Sequence, residues 1–156
     1  MNDNIREWII EELKKDEGLV LHVYHLDGIP HIGYGFNLKA NKLPAFIQSY
    51  LDIHKEITPD MAEFLLRKQA IAAEADAIRL FNSETWESLT DKRQAVVVMM
   101  IFNMGIGRFQ GFHDFIACLS EQDVSGCVRE MVDSSWHRNP LTHERAIRYE
   151  EYFRKG

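Results

Sequence analysis

The chain has 156 residues, 46% of them hydrophobic and 27% charged, with nine Gly and four Pro. That composition describes one globular domain with a real core and excludes collagen, coiled coil and long disorder. Twenty-four Asp and Glu against eighteen Lys and Arg leave a formal charge of −6, which argues against a protein that binds nucleic acid through its phosphates.

The N-terminal MNDNIREWIIEELKK mixes acids with apolar residues and has neither a basic n-region nor a small-residue cleavage site, so no secretory signal and a cytoplasmic place of synthesis are expected. The longest apolar run, residues 95–102, falls well short of the roughly 18 residues that a membrane span needs. Cys118 and Cys127 are too few for a disulfide framework and lack zinc-ligand spacing, so both are expected as free thiols.

In chain order, a helix is expected over residues 3–15, where Ile5, Trp8, Ile9 and Leu13 recur at helical spacing and Gly18 stands just past the end as a cap. Residues 19–24 alternate as a strand, Asp27-Gly28 interrupts, and residues 29–36 resume with β-branched, aromatic and Gly residues. This is a β-hairpin whose return strand can bend or bulge at Gly33 and Gly35. Residues 39–57 are mixed, with a short helix over 44–51. A longer helix opens at Thr58-Pro59-Asp60 and runs to Phe81, its Ala-rich middle free of Gly and Pro. The pattern breaks over 82–88. The next helix, 92–104, is apolar on every face at 95–102, as for a helix enclosed by others. Helical segments at 111–119, 121–134 and 142–155 complete the chain, separated by loops with Gly105 and Gly107, Ser120, and Asn139-Pro140. The sum is one α+β domain over 1–156, with a β-containing lobe at 16–57, a helical lobe from 1–15 and 82–156, and residues 58–81 as the connecting helix.

Glu17 falls at the C-terminal end of the first helix, where the dipole and unpaired carbonyls disfavour a carboxylate and burial would disfavour it further. A carboxyl kept protonated near neutral pH is what a general acid requires; a solvated helix-end glutamate is the alternative. The hairpin can return Asp27 and His31 to the same cleft as Glu17, yet Asp-Gly is equally a turn signal with no chemistry attached. With a two-residue turn at 27 and 28, Tyr24 pairs with His31, His22 lies diagonally on that face and His25 on the other. His22 and His31 then lack the third ligand of a catalytic zinc, and no metal is expected. No nucleophile elbow, phosphate loop, dinucleotide fingerprint or HExxH pattern occurs, and no cofactor is expected.

Asp16-Glu17-Gly18-Leu19, Tyr24 and His31-Ile32-Gly33-Tyr34-Gly35-Phe36-Asn37-Leu38 resemble the start of the phage-type lysozymes, or endolysins. The resemblance continues in order through Arg93-Gln94-Ala95, Phe102-Asn103-Met104-Gly105, Phe112, Ser135-Trp136 and Arg145-Ala146. It implies a lysozyme-like α+β fold and a bacteriolytic muramidase that hydrolyses the β-1,4 bond between N-acetylmuramic acid and N-acetylglucosamine in peptidoglycan. It places the family's catalytic Glu at Glu17. The family's Asp corresponds by spacing to Leu26, with Asp27 one later, and its Thr to His31. A shorter hairpin turn explains both offsets and puts Asp27 in place of the family Asp.

His31 then holds or deprotonates the attacking water, attacks the sugar itself, or fills the cleft of a domain that binds glycan without cutting it. The resemblance also implies substrate contacts from Phe102, Asn103, Trp136 and Arg145, with Arg145 pairing the catalytic Glu. Core packing for Phe102 and Trp136, and a surface salt bridge for Arg145, are the alternatives. A monomer that reaches the wall after release through a pore made by another protein is expected. The competing readings are an impaired glycan-binding or scaffold domain and a lysozyme-fold effector with an immunity partner.

Overall fold

The computed structural model describes all residues, Met1–Gly156. They form two compact units, Ile10–Ile71 and Met1–Ile9 with Ala72–Gly156. Both units draw on helices α1 (Asp3–Glu17) and α3 (Pro59–Leu80), so the β-containing unit takes in more than residues 16–57.

In the unit Ile10–Ile71, α1 stops where Gly18 adopts φ +65° and its N–H donates to the Lys14 carbonyl at 3.3 Å. Glu17 is therefore the last helical residue. Strand β1 (Val20–Leu26) pairs antiparallel with β2 (Ile29–Gly33), and β2 with β3 (Phe36–Asn37), in the order β1-β2-β3. The single return strand expected over 29–36 is thus two strands. Gly33 and Gly35, at φ +67° and +71°, carry the turn between them, and a Cβ at Gly33 would stand 3.3 Å from that of Ala62 on α3. The β1–β2 ladder is irregular between Val20, opposite Gly33, and Tyr24, opposite His31. His22 lies in that bulged stretch without a ladder partner, so the regular diagonal expected of it is not formed.

Helix α2 (Ala45–His54) begins after Pro44 and ends at Lys55, in left-handed conformation at φ +64°. It runs beyond the expected 44–51 because nothing in residues 52–54 breaks it. Thr58 caps α3 by accepting from the Met61 N–H at 3.2 Å. Ile32, Phe36, Leu43, Ile47, Leu51 and Leu65 form the core of this unit. Lys14 bridges from α1 to Glu63 on α3 at 2.8 Å.

The second unit is built around α5 (Asp91–Met104), where every residue from Ala95 to Ile101 is at most 2% exposed. That matches the all-round apolar stretch in the sequence. Around it stand α4 (Ser83–Ser88), α6 (Ile106–Phe109), α7 (His113–Ser120), α8 (Val124–Val132), α9 (Ser135–Arg138) and α10 (His143–Lys155). Phe109, Phe115 and Phe153 pack in sequence, with ring centroids 6.0 and 5.8 Å apart.

Three of these helices correct the sequence reading. Residues 82–88, expected as a break, contain α4, and the Gly105/Gly107 loop contains α6. The stretch expected as one helix over 121–134 is α8, with the separate α9 after it. Helices of four to six residues show too little periodicity to read. Two of them rest instead on caps: Asn82 accepts from the Thr85 N–H at 2.8 Å and Ser134 from the His137 N–H at 3.1 Å. Cys118 and Cys127 are free thiols, and burial pushes that of Cys127 up to about 12.

Candidate active site

The Asp27-Gly28 turn joins Leu26 to its partner Ile29, with φ of +51° and +76° at its two central residues. These are the signs a type I′ turn requires, and Asp accepts left-handed conformation better than most residues. Asp27 is exposed at the hairpin tip, so its place in the turn is explained without chemistry.

The two-residue turn sets the register that brings Tyr24 opposite His31. Their rings stack with centroids 5.6 Å apart and planes 27° from parallel. Nδ1 of His31 lies 2.8 Å from the Ile29 carbonyl oxygen. A carbonyl only accepts, so Nδ1 carries the hydrogen and Nε2 of the neutral ring keeps its lone pair. The protein therefore fixes both the plane and the tautomer of His31, leaving Nε2 as the basic nitrogen.

Glu17 enters this group from α1. A Cβ at Gly35 would stand 3.0 Å from Glu17 Oε2, so the carboxyl lies against bare backbone that only glycine provides. Burial first, and then the negative charge of Glu17, hold the Tyr24 phenol above its ordinary pKa, which keeps it a neutral hydroxyl at any physiological pH. Glu17, Tyr24, His31 and Gly35 thus share one neighbourhood: a carboxyl, a nitrogen base and a phenol, with a glycine that gives the carboxyl room. Sequence reading found Glu17 and His31 and the Tyr24–His31 pairing. It missed the Gly35 contact, which joins residues from two different elements.

In the other unit, Arg145 on α10 donates to Oδ1 of Asn103 at the end of α5. This fixes which way the amide faces. Trp136 is buried, its ring 5.6 Å from that of Tyr149, and Phe102 is half-buried. Core packing accounts for most of the Trp136 surface, but not for its Nε1, which is buried without an acceptor.

The phage lysozyme family model matches residues 14–146. The chain belongs to the phage lysozyme family. The match runs from just before Glu17 to just past Arg145, so Glu17, Tyr24, His31, Gly35, Asn103, Trp136 and Arg145 all lie inside it. The chain is also 28% identical over 150 residues to the pre-baseplate central spike protein Gp5 of Enterobacteria phage T4, covering 88% of this chain and 26% of that protein. It spans about a quarter of the length of that relative. With the family shown, the fold expected from the motif resemblance stands: α+β, with one small antiparallel sheet in an otherwise helical chain.

Proposed function

We propose that this chain is a muramidase, cutting the β-1,4 bond between N-acetylmuramic acid and N-acetylglucosamine in peptidoglycan with inversion at the anomeric carbon. The observation that carries this reading is the Glu17 carboxyl lying against Gly35 in the neighbourhood of the Tyr24–His31 pair, whose free ring nitrogen is Nε2. Glu17 gives its proton to the glycosidic oxygen, and the leaving sugar departs as an alcohol. Positive charge grows at C1 and the ring oxygen. Water adds to C1 from the opposite face and passes a proton to His31 Nε2. His31 then loses that proton to solvent and Glu17 is reprotonated, restoring the enzyme. Tyr24 holds the imidazole plane. Asp27 adds negative charge at the hairpin tip, while Phe102, Asn103, Trp136 and Arg145 bind substrate. The enzyme acts on the wall as a monomer after release from the cytoplasm.

Wall sacculi stripped of outer membrane test the reading directly. Digestion should release fragments with a muramic acid reducing end, recovered as muramitol after borohydride reduction. Glucosaminitol instead would assign a different bond, and no soluble fragments would remove the enzyme reading. A second reading, glycan binding without cleavage, draws on the turn geometry that gives Asp27 a purely structural reason to be there. It predicts that the protein sediments with sacculi and releases nothing.

Two substitutions separate roles within the group. Asp27→Asn keeps the turn, since Asn tolerates left-handed conformation as well as Asp. An unchanged melting temperature is expected, with a severalfold loss of activity if the charge matters; equal activity would leave Asp27 to the turn alone. Gly35→Ala forces a methyl group against Glu17 Oε2 at a backbone φ of +71°. The expected result is a roughly 10- to 100-fold loss of lytic rate from a displaced carboxyl, beyond the loss from Gly33→Ala. That control imposes similar backbone strain but meets Ala62 rather than Glu17.

A further inference from the structure

Helices α2 and α3 of the unit Ile10–Ile71 each carry apolar residues on a second face, turned away from the core. On α3 the buried side runs through Ala62, Leu65, Leu66 and Ala70. Phe64 and Ile71, seven residues apart and therefore on one stripe, lie on the opposite side and are 45% and 65% exposed. On α2, Phe46 is 55% exposed, and its ring meets that of Phe64 edge to face with centroids 5.5 Å apart. This contact joins the outer surfaces of the two helices into one apolar patch. Single exposed hydrophobics are ordinary on a protein surface, whereas a contiguous patch around an aromatic pair marks a contact surface.

Asp60 and Lys68 flank Phe64 on the same stripe, four residues to either side, and both are exposed. The helical rise puts each about 6 Å from Phe64 along the axis and the two about 12 Å from each other, too far to pair. Neither has a partner elsewhere in the chain, whereas their neighbours Glu63 and Arg67 pair with each other at 2.7 Å. The patch is thus an aromatic centre with one unanswered negative and one unanswered positive charge at equal distances on either side.

We propose that this face docks on the same face of a second copy of the chain, α3 against α3, about a two-fold axis through Phe64. In that antiparallel arrangement each Phe64 meets its counterpart, each Asp60 stands level with Lys68 of the other copy, and Ile71 reaches the exposed Pro59 at the start of the opposite helix. A second copy is the occupant because the patch carries its own complement: opposite charges equidistant from the centre are what a contact between identical surfaces requires. A strongly acidic or basic partner would answer one of the two charges and oppose the other, and a lipid surface would leave Asp60 without a cation. The contact is far smaller than the roughly 20–30 residues a side of a standard interface. It therefore makes a weak dimer in concentrated protein, which dissociates on dilution into the monomer proposed to act on the wall.

Sedimentation velocity and NMR diffusion on the intact chain, from about 10 µM to about 1 mM, cover the range where a contact of this size should associate. The average mass should rise from one chain towards two. Phe64→Glu should abolish the rise and, because Phe64 is exposed, leave the fold and the rate of sacculus digestion unchanged. Asp60→Lys or Lys68→Glu alone puts like charges across both ends of the contact, and each should weaken association about tenfold or more. An equimolar mixture of those two variants restores an opposite pair at each end and should associate as the parent does. Such rescue is specific to the two-fold contact, and damage to the fold by either substitution would not produce it. A chain that stays monomeric throughout overturns the proposal, as does association that survives Phe64→Glu, or a mixture of the two charge variants that associates no more tightly than either alone. Binding of the monomer to phosphatidylcholine vesicles, lost in Phe64→Glu, would give the face to a lipid surface instead and equally overturn it.

Discussion

Glu17→Gln should leave sacculi essentially undigested, with the rate of muropeptide release down by at least the roughly 10²- to 10⁴-fold that general acid catalysis supplies. Gln keeps the shape of the side chain and its contact with Gly35 but has no proton to give the leaving oxygen. Glu17 is the last residue of α1 and Gln is isosteric with it, so the melting temperature should change far less than the activity. Lost activity with a nearly unchanged melting temperature separates a residue that acts on substrate from one that holds the fold. A Gln variant that digests walls at the parent rate would end the general-acid assignment.

The fold was legible where the sequence pattern was long or chemically loud. The run from Ala95 to Ile101 has no polar face and is enclosed on all sides. Gly18 ends α1 as a left-handed cap, and Asp27-Gly28 makes a two-residue turn. What the sequence hid was short. Four residues of α6 or α9 bury too little to imprint a period, and their stability comes from neighbours far along the chain. The break of the return strand at Gly33 was visible only as permission to bend, because the cause is the close approach of Ala62, nearly thirty residues away.

The same division runs through the sites. The Tyr24–His31 pair follows from turn length alone, since a two-residue loop fixes the register. The Gly35–Glu17 contact does not, because it needs α1 and the sheet to be packed first. Two adjoining pockets around Phe112 were less legible still. Their walls come from α5, α6, α7, α8 and α9 and the loops beside them, and the expected helices over 111–119 and 121–134 carried no sign that they would line pockets together. Asn103 and Trp136 were singled out by their resemblance to family positions. That neither Nδ2 nor Nε1 has a partner is a fact of packing no single sequence displays.

His31→Ala should lower the rate of wall digestion about 10²-fold or more if Nε2 is the base that takes the proton from water. This substitution also removes the stack on Tyr24, worth roughly 0.5–1.5 kcal/mol, so a loss of activity could in principle be a loss of local order. His31→Asn resolves the two. Its amide N–H takes over the Nδ1 hydrogen bond to the Ile29 carbonyl but offers no basic nitrogen where Nε2 stood. Asn should recover part of the melting temperature lost in Ala while remaining as inactive. Added imidazole should raise the rate of the Ala variant and not that of the Asn variant, whose side chain still fills the space. The stereochemistry then tests what the nitrogen does. A base delivers water to the face opposite the leaving group, so the first product is the α-anomer at the new muramic acid end; a nucleophile gives two displacements and the β-anomer. NMR in the first minutes, before mutarotation mixes the anomers, should show α. A β product would leave Glu17 as the acid and make His31 the nucleophile, since the tautomer set by Ile29 leaves the lone pair on Nε2 in either case.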